Sequence, residues 1–204
     1  MRQNRNTEQE IVEAARKVFQ EKGFKEATMR DIAAEANINM AMLRYYFRSK
    51  DNLFYIVFDE AFKLLYSDII KVLSNNELDL FDKIRTIVSE YITFFQEKPY
   101  LPQFIIGEVI RNPEKIGDRM QRNTSLVLAF RSFSEQLKVE REKGTIKQVS
   151  PISLLLNIIS LCVFPAIAKP MIVEAIGIEA ATFDLAIEVR KKEVADFIIN
   201  AIKK

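Results

Sequence analysis

The sequence predicts an all-α fold, with a small N-terminal three-helix unit and a larger helical body behind it. Three observations predict it. Only 5 glycines and 6 prolines punctuate 204 residues, which favours long helices over many short strands. Apolar residues recur at helical spacing along most of the chain, and no strand-like alternation persists. Two brief helices joined by a tight turn stand near residue 37. A chain of this length suits one large domain or two small ones. We expect a first domain over 1–52 and a second over 53–204.

The first helix is expected to start at Thr7-Glu8-Gln9-Glu10, a capping-box pattern in which Thr7 and Glu10 satisfy each other's backbone amides. Ile11, Ala14, Ala15, Val18 and Phe19 follow at helical spacing. Gly23 should end the helix in the left-handed conformation, with Phe24 packing just beyond. Thr28 opens a second helix with Asp31 at the third position, and Ile32, Ala33 and Ala36 form its small apolar face. Asn37 tolerates positive φ, and Asn39 is a good N-cap. A short third helix then covers about Met40 to Phe47, with Leu43 and Phe47 directed to the core. Ala36-Asn37-Ile38-Asn39 is thus the turn of a helix-turn-helix, whose second helix enters the major groove of DNA. Ser49 caps a fourth helix through Leu53, Val57, Phe58, Ala61, Leu65 and Ile69.

Longer amphipathic helices follow. One runs from Leu80 to Phe95, ending before Pro99, and a short one carries Phe104, Ile105 and Val109. Another is expected to start at Pro113 and run unbroken through Ile116, Met120, Val127, Phe130, Phe133 and Leu137 to Gly144. The next begins near Ser150-Pro151 and is apolar almost all round to Pro165. The last runs from about Thr182 to Ile202. The apolar stretch Ile152 to Ala168 is shorter than the roughly 20 residues that span a bilayer. It also carries Ser153, Asn157, Ser160 and Pro165. It is read as a buried or dimer-interface helix, with no membrane partner. The start of the chain shows no apolar signal-peptide core, so a cytoplasmic location is expected.

Composition removes whole classes of chemistry. The chain has no histidine and one cysteine, Cys162. Histidine-based triads, histidine zinc sites and disulfide frameworks are therefore excluded. No glycine-rich phosphate loop is present. Carboxylates such as Glu90 and Glu108 show no catalytic spacing. We expect no enzyme activity, no catalytic residue, no metal and no cofactor.

The net charge of +2 is small, but all of it falls in the first quarter. Residues 1–52 hold ten Lys/Arg against eight Asp/Glu, and the remainder balances. Arg44 to Lys50 contains three cations, no anion and two tyrosines, a pattern suited to a phosphate backbone.

The run Ile11…Ala15…Phe19…Gly23-Phe24…Thr28…Ile32-Ala33…Ala36-Asn37-Ile38-Asn39…Leu43…Tyr45-Tyr46-Phe47…Ser49-Lys50…Leu53 resembles the N-terminal signature of the TetR family of bacterial transcriptional regulators. The resemblance covers about residues 7 to 58. It implies a helix-turn-helix domain joined to a divergent ligand-binding and dimerising body. The family commonly has glycine where Asn37 stands and serine where Asn39 stands. It often has tyrosine at Arg44 and histidine at Tyr46, two positions that touch DNA in the family.

Physically, a recognition helix needs small or flexible residues at its start, and Asn39, Met40, Ala41 and Met42 fit, with apolar contact to thymine methyls. Arg44 has the fork that matches guanine or a phosphate. Arg30, with Met29 beside it, is a second base or phosphate candidate by family position. Thr28, Tyr45, Tyr46 and Lys50 are expected to grip phosphates, with Arg2 and Arg5 as a basic arm. One of Tyr45 and Tyr46 is alternatively a packing residue.

The helices near 151–168 and 182–202 are too apolar for a free surface, which argues for a homodimer. In the body, Phe62, Tyr66, Phe94, Phe104, Phe130 and Phe133 either line a cavity or form plain core. Glu108, Asn123 and Thr124 are the polar candidates for the far end of a ligand, although Glu108 could equally pair with Arg111. The expected function is a DNA-binding repressor released from a palindromic operator by a small, largely apolar effector. The alternative is a helical protein–protein adaptor that uses the helix-turn-helix as scaffold.

Overall fold

The structure is a computed structural model. It describes the backbone of residues 2–204 and the side chains from residue 7 onward, so the expected arm residues Arg2 and Arg5 lie outside the described side chains. Among the described residues there are ten helices: α1 (Arg2–Glu26), α2 (Met29–Glu35), α3 (Met40–Tyr46), α4 (Lys50–Ser74), α5 (Leu80–Glu97), α6 (Leu101–Arg111), α7 (Pro113–Arg122), α8 (Thr124–Glu142), α9 (Pro151–Ile176) and α10 (Ala180–Ile202). The fold is all-α, as the sequence predicts. The only extended pairing among the described residues is an isolated antiparallel bridge between Ile146 and Lys203. The chain divides into two compact units, Met1–Leu64 and Leu65–Lys204. The division falls inside α4, some way beyond the boundary expected after residue 52.

In the first unit, α1 starts before the Thr7 box, at Arg2. A capping box favours a start but does not stop a helix that good helix formers such as Arg and Gln extend backwards. Gly23 breaks α1 with φ 69° and ψ 173°. That is a glycine-only extended conformation rather than the left-handed helical one expected. One further helical turn then carries Phe24. The core of this unit is Ile11, Ala15, Phe19, Ile32, Leu43, Phe47 and the α4 residues Leu53, Phe54 and Phe58, all essentially without solvent contact.

The second unit is built on α5, whose apolar stripe (Ile84, Ile87, Val88, Tyr91, Ile92, Phe95) packs among α8, α9 and α10. Lys83 is also fully buried there, and its ammonium donates to the Leu73 carbonyl at 3.0 Å. Burial lowers its pKa by penalising the charged form.

Two expected helix limits are corrected. The helix from Pro113 is two helices, because Asn123 (φ −80°, ψ 87°) leaves the helical region and its side chain accepts from Leu126 N to cap α8. The helix from Pro151 does not end near Pro165. It continues through Pro165 and Pro170 to Ile176 and stops at Gly177, in the left-handed conformation. Its 26 residues make it the one described helix long and apolar enough to cross a membrane, so shortness does not exclude a span. Leu154, Ile158 and Cys162 nonetheless bury one face of it in the core with α5 and α10.

Candidate nucleic-acid interface and body cavity

The helix-turn-helix is held by local chemistry. Thr28 has extended backbone, accepts from Asp31 N and is capped reciprocally by the Asp31 carboxylate. That carboxylate also receives a hydrogen bond from Lys22 at 2.8 Å. The Lys22 contact, with the two donors of Thr28, lowers the Asp31 pKa from 3.8 to about 2. At the other end of α2, Asn37 stands at φ 51°. This lets Ile38 N donate to Ala33 O at 3.0 Å and turns the chain into α3. Asn39 accepts from Met42 N at 2.8 Å, which fixes the start of α3. Leu43 and Phe47 anchor the inner face of α3 in the core, as expected.

The outer face carries the expected contact residues. Ala41, Met42, Arg44 and Tyr45 are exposed, and Met40 and Tyr46 are half-buried. Tyr45 is 77% exposed and meets the ring of Tyr46 edge-on at 5.2 Å, so Tyr46 is the more buried of the pair. On α2, Arg30 is exposed and Met29 half-buried. Arg44 and Arg30 make no ion pair among the described residues. Arg48 is also exposed, in the turn after α3. It is a candidate contact that sequence reasoning passed over, although it is one of the three cations of the Arg44–Lys50 run.

Two expected phosphate grips are already engaged. The Thr28 hydroxyl donates to Asp31 Oδ2 at 2.6 Å, so its proton belongs to the cap. The Lys50 ammonium donates to the carbonyls of Phe24 and Ala27, both at 2.9 Å, and lies 4.4 Å from the centre of the Phe24 ring. A cation there satisfies carbonyls at the end of the turn after Gly23 and joins it to the first turn of α4. These contacts hold the Lys50 ammonium against the end of α1.

The expected ligand residues occupy different environments. Glu108 is buried, but Arg111 and the Asn112 side chain, both on its own helix end, donate to its carboxylate. Asn123 is a helix cap and Thr124 is exposed. Phe133 is core, completely buried. Phe62, Tyr66, Phe94, Phe104 and Phe130 are half-buried. A cavity of about 430 Å³ does exist, between α5, α9 and α10, and none of these residues lines it. Its walls include Ile92, Phe95, Pro165, Ala166, Ile187 and Arg190. Sequence reasoning missed it because its walls come from three distant segments. The available signal was the pair of prolines in α9, each of which removes an amide hydrogen bond and loosens the helix.

Comparison with known proteins agrees with this geometry. Residues 11–55 match the family model described as bacterial regulatory proteins, tetR family. The chain is 26% identical over 144 residues to IcaR of Staphylococcus aureus, named a negative transcriptional regulator of the icaADBC biofilm operon, covering 65% of this chain and 72% of IcaR. It is 26% identical over 106 residues to YttP of Bacillus subtilis, named a probable HTH-type transcriptional regulator, and there the alignment spans only about half of either chain (51%). Among solved structures, HlyIIR, a hemolysin II transcriptional regulator, superposes with a TM-score of 0.65 at 23% identity, over 98% of both chains. The TetR-family regulator HI0893 of Haemophilus influenzae superposes with a TM-score of 0.63 at 17% identity over the whole of both. The helix-turn-helix of residues 11–55 thus matches that of the tetR family of bacterial regulatory proteins, and the chain is similar to transcriptional regulators in sequence and to TetR-family regulators in fold.

Proposed function

We propose that this chain is a homodimeric transcriptional repressor of the cytoplasm that binds a palindromic operator and leaves it when a small effector occupies its body. The observation that carries the reading is α3. It is capped at its start by Asn39, anchored from beneath by Leu43, and bears on its outer face an exposed Arg44 with no ion pair among the described residues. A helix so held, with small residues at its N-terminus, suits the major groove, and an arginine fork suits guanine. Met29, Arg30, Asn39, Met40, Ala41, Met42, Tyr45 and Tyr46 complete the contact face. Arg48 adds a phosphate contact that compensates for the engaged Thr28 and Lys50.

One short helix reads few base pairs, so symmetry must supply a second. The residues after 52 serve effector binding and dimerisation. Leu156 and Phe164 on α9, with Leu185, Val189 and Phe197 on α10, are each more than half exposed. Two neighbouring helices with that many exposed large apolar side chains form a patch of the kind that associates. The name of IcaR, a negative regulator, supports repression over activation. Effector binding would favour a body conformation in which α4 shifts and the paired α3 helices lose their half-site spacing.

The test is a fluorescence anisotropy titration of the purified protein against DNA from upstream of its own gene and against random DNA, from about 50 to 200 mM salt. The expected result is a marked preference for the upstream DNA and a fall in affinity of roughly 10³-fold across that range, for about six phosphate contacts in the dimer. Arg44→Ala should cost about 1–3 kcal/mol and relax preference at one base position. Equal affinity for both DNAs would overturn the reading.

A further inference from the structure

The body cavity is lined by a cation, Arg190, that makes no ion pair among the described residues. Pro165 has no N–H to donate to Leu161 O, one turn earlier in α9. Arg190 of α10 reaches that carbonyl with one Nη at 3.4 Å. Its Nε is buried and has no hydrogen-bond partner among the described residues, and Arg190 makes no ion pair among them. The cavity's other cation, Lys169, is matched by Asp184 at 2.5 Å and stands 5.9 Å from the Phe183 ring. The lining therefore carries one unmatched positive charge, and Ile92, Phe95, Pro99, Pro165, Ala166 and Ile187 supply apolar walls. A guanidinium with no ion pair among the described residues, set beside apolar walls, favours an anionic acceptor brought by a ligand. The fork geometry of arginine favours a carboxylate. The volume of about 430 Å³ falls in the range of roughly 300–1,000 Å³ typical of small-molecule sites.

We propose that this cavity binds an apolar molecule bearing a single carboxylate, with the carboxylate on Arg190 and the apolar part between α5 and α9. This deepens the effector-controlled reading above and rests on it for its consequence at the operator, but the site can be tested without DNA. The alternative acceptor is a carboxylate from a second copy of this chain, since Arg190 also borders a shallower hollow with Glu193 and Phe197.

The experiment titrates decanoate, and decanol as its uncharged counterpart, into the full chain by calorimetry. Decanoate should bind at least about tenfold more tightly, the ratio that one charge-assisted hydrogen bond supports. In Arg190→Met the two should come within about twofold of each other, while Arg190→Lys should keep a several-fold preference, since a point charge replaces the fork. Ala166→Phe, which fills the cavity, should abolish both. A measurement on the unmutated chain guards against variants that fail to fold. Cys162 lines the cavity, and decanoate should slow its labelling by a maleimide several-fold more than decanol does. Equal binding of the two probes, binding of neither, or a preference that survives Arg190→Met would each overturn the proposal. So would an Arg190→Met chain that dissociates to monomers with its preference intact, because the acceptor would then belong to the second copy. Decanoate bound through Arg190 with operator binding unchanged would uphold the site and refute effector control.

Discussion

Replacing Lys50 with methionine separates two roles that a lysine near DNA can have. The substitution keeps the length and apolar stem and removes the ammonium. The first unit then forfeits two charge-assisted hydrogen bonds, to Phe24 O and Ala27 O at 2.9 Å, and the interaction with the Phe24 ring at 4.4 Å. Hydrogen bonds to charged groups are worth about 1.5–3 kcal/mol each, and an exposed cation–π interaction about 0.5–1 kcal/mol. Lys50 is only half-buried, so water replaces part of this stabilisation. A net cost of about 2–3 kcal/mol is expected on that discount. The assay pairs urea unfolding of the full chain with DNA titrations across a salt series at a temperature where the variant is folded. Lys50→Met should unfold at lower urea, and its log affinity should keep the slope against log salt shown by the unsubstituted chain. A phosphate-gripping lysine would give the reverse: unchanged stability, with the slope reduced by about 0.9 for each phosphate no longer neutralised. That outcome would refute the positioning role.

Three further substitutions probe the backbone and caps. The Asp31 pKa is lowered to about 2, chiefly by Lys22 and Thr28. A carboxylate lowered in the folded state stabilises above its unfolded value near 3.8 and loses that contribution as the pH falls through about 2. The stability gap between the unsubstituted chain and Asp31→Asn should therefore be full at neutral pH and shrink below pH 4, as read by urea unfolding at each pH; a constant gap would contradict the cap. Gly23→Ala should destabilise by about 1–3 kcal/mol from backbone strain alone, because a Cβ there meets no atom within 4 Å. Gly107→Ala, in the middle of α6 with equally open space, should stabilise by about 0.4–1 kcal/mol. Thermal melts of the two variants check the opposite signs.

The parts of the fold that are legible in the sequence are those fixed within a few residues. The Thr28–Asp31 box, positive φ at Asn37 and the Asn39 cap depend on side chains bonding their own neighbourhood, and each appears in the structure. Helix continuity is less legible. In the sequence Asn123 is a polar break in an apolar stripe, but it interrupts the helix itself, because its side chain competes for the amide of Leu126. In the sequence Pro165 marks an end, yet packing of Leu154, Ile158 and Cys162 holds α9 together around it.

Partners distant in sequence are not legible at all. Nothing near Lys50 in the chain announces the carbonyls of Phe24 and Ala27. Nothing near Cys162 announces Phe95 or Arg190 across the same cavity. Helical spacing points to aromatic residues such as Phe104 and Phe130 for the effector site. Spacing identifies the buried side of a helix but not the gap between three of them.

A repressor of this kind reads DNA with α3 and presents it twice through a two-fold dimer. Hydroxyl-radical footprinting of the protein on its own upstream DNA tests it most directly. Two protected patches related by an inverted repeat are predicted, about 34–36 Å or a multiple of that apart, both needing roughly ten- to a hundredfold more protein with Arg44→Ala. A single patch, or a footprint that Arg44→Ala leaves unchanged, would contradict it.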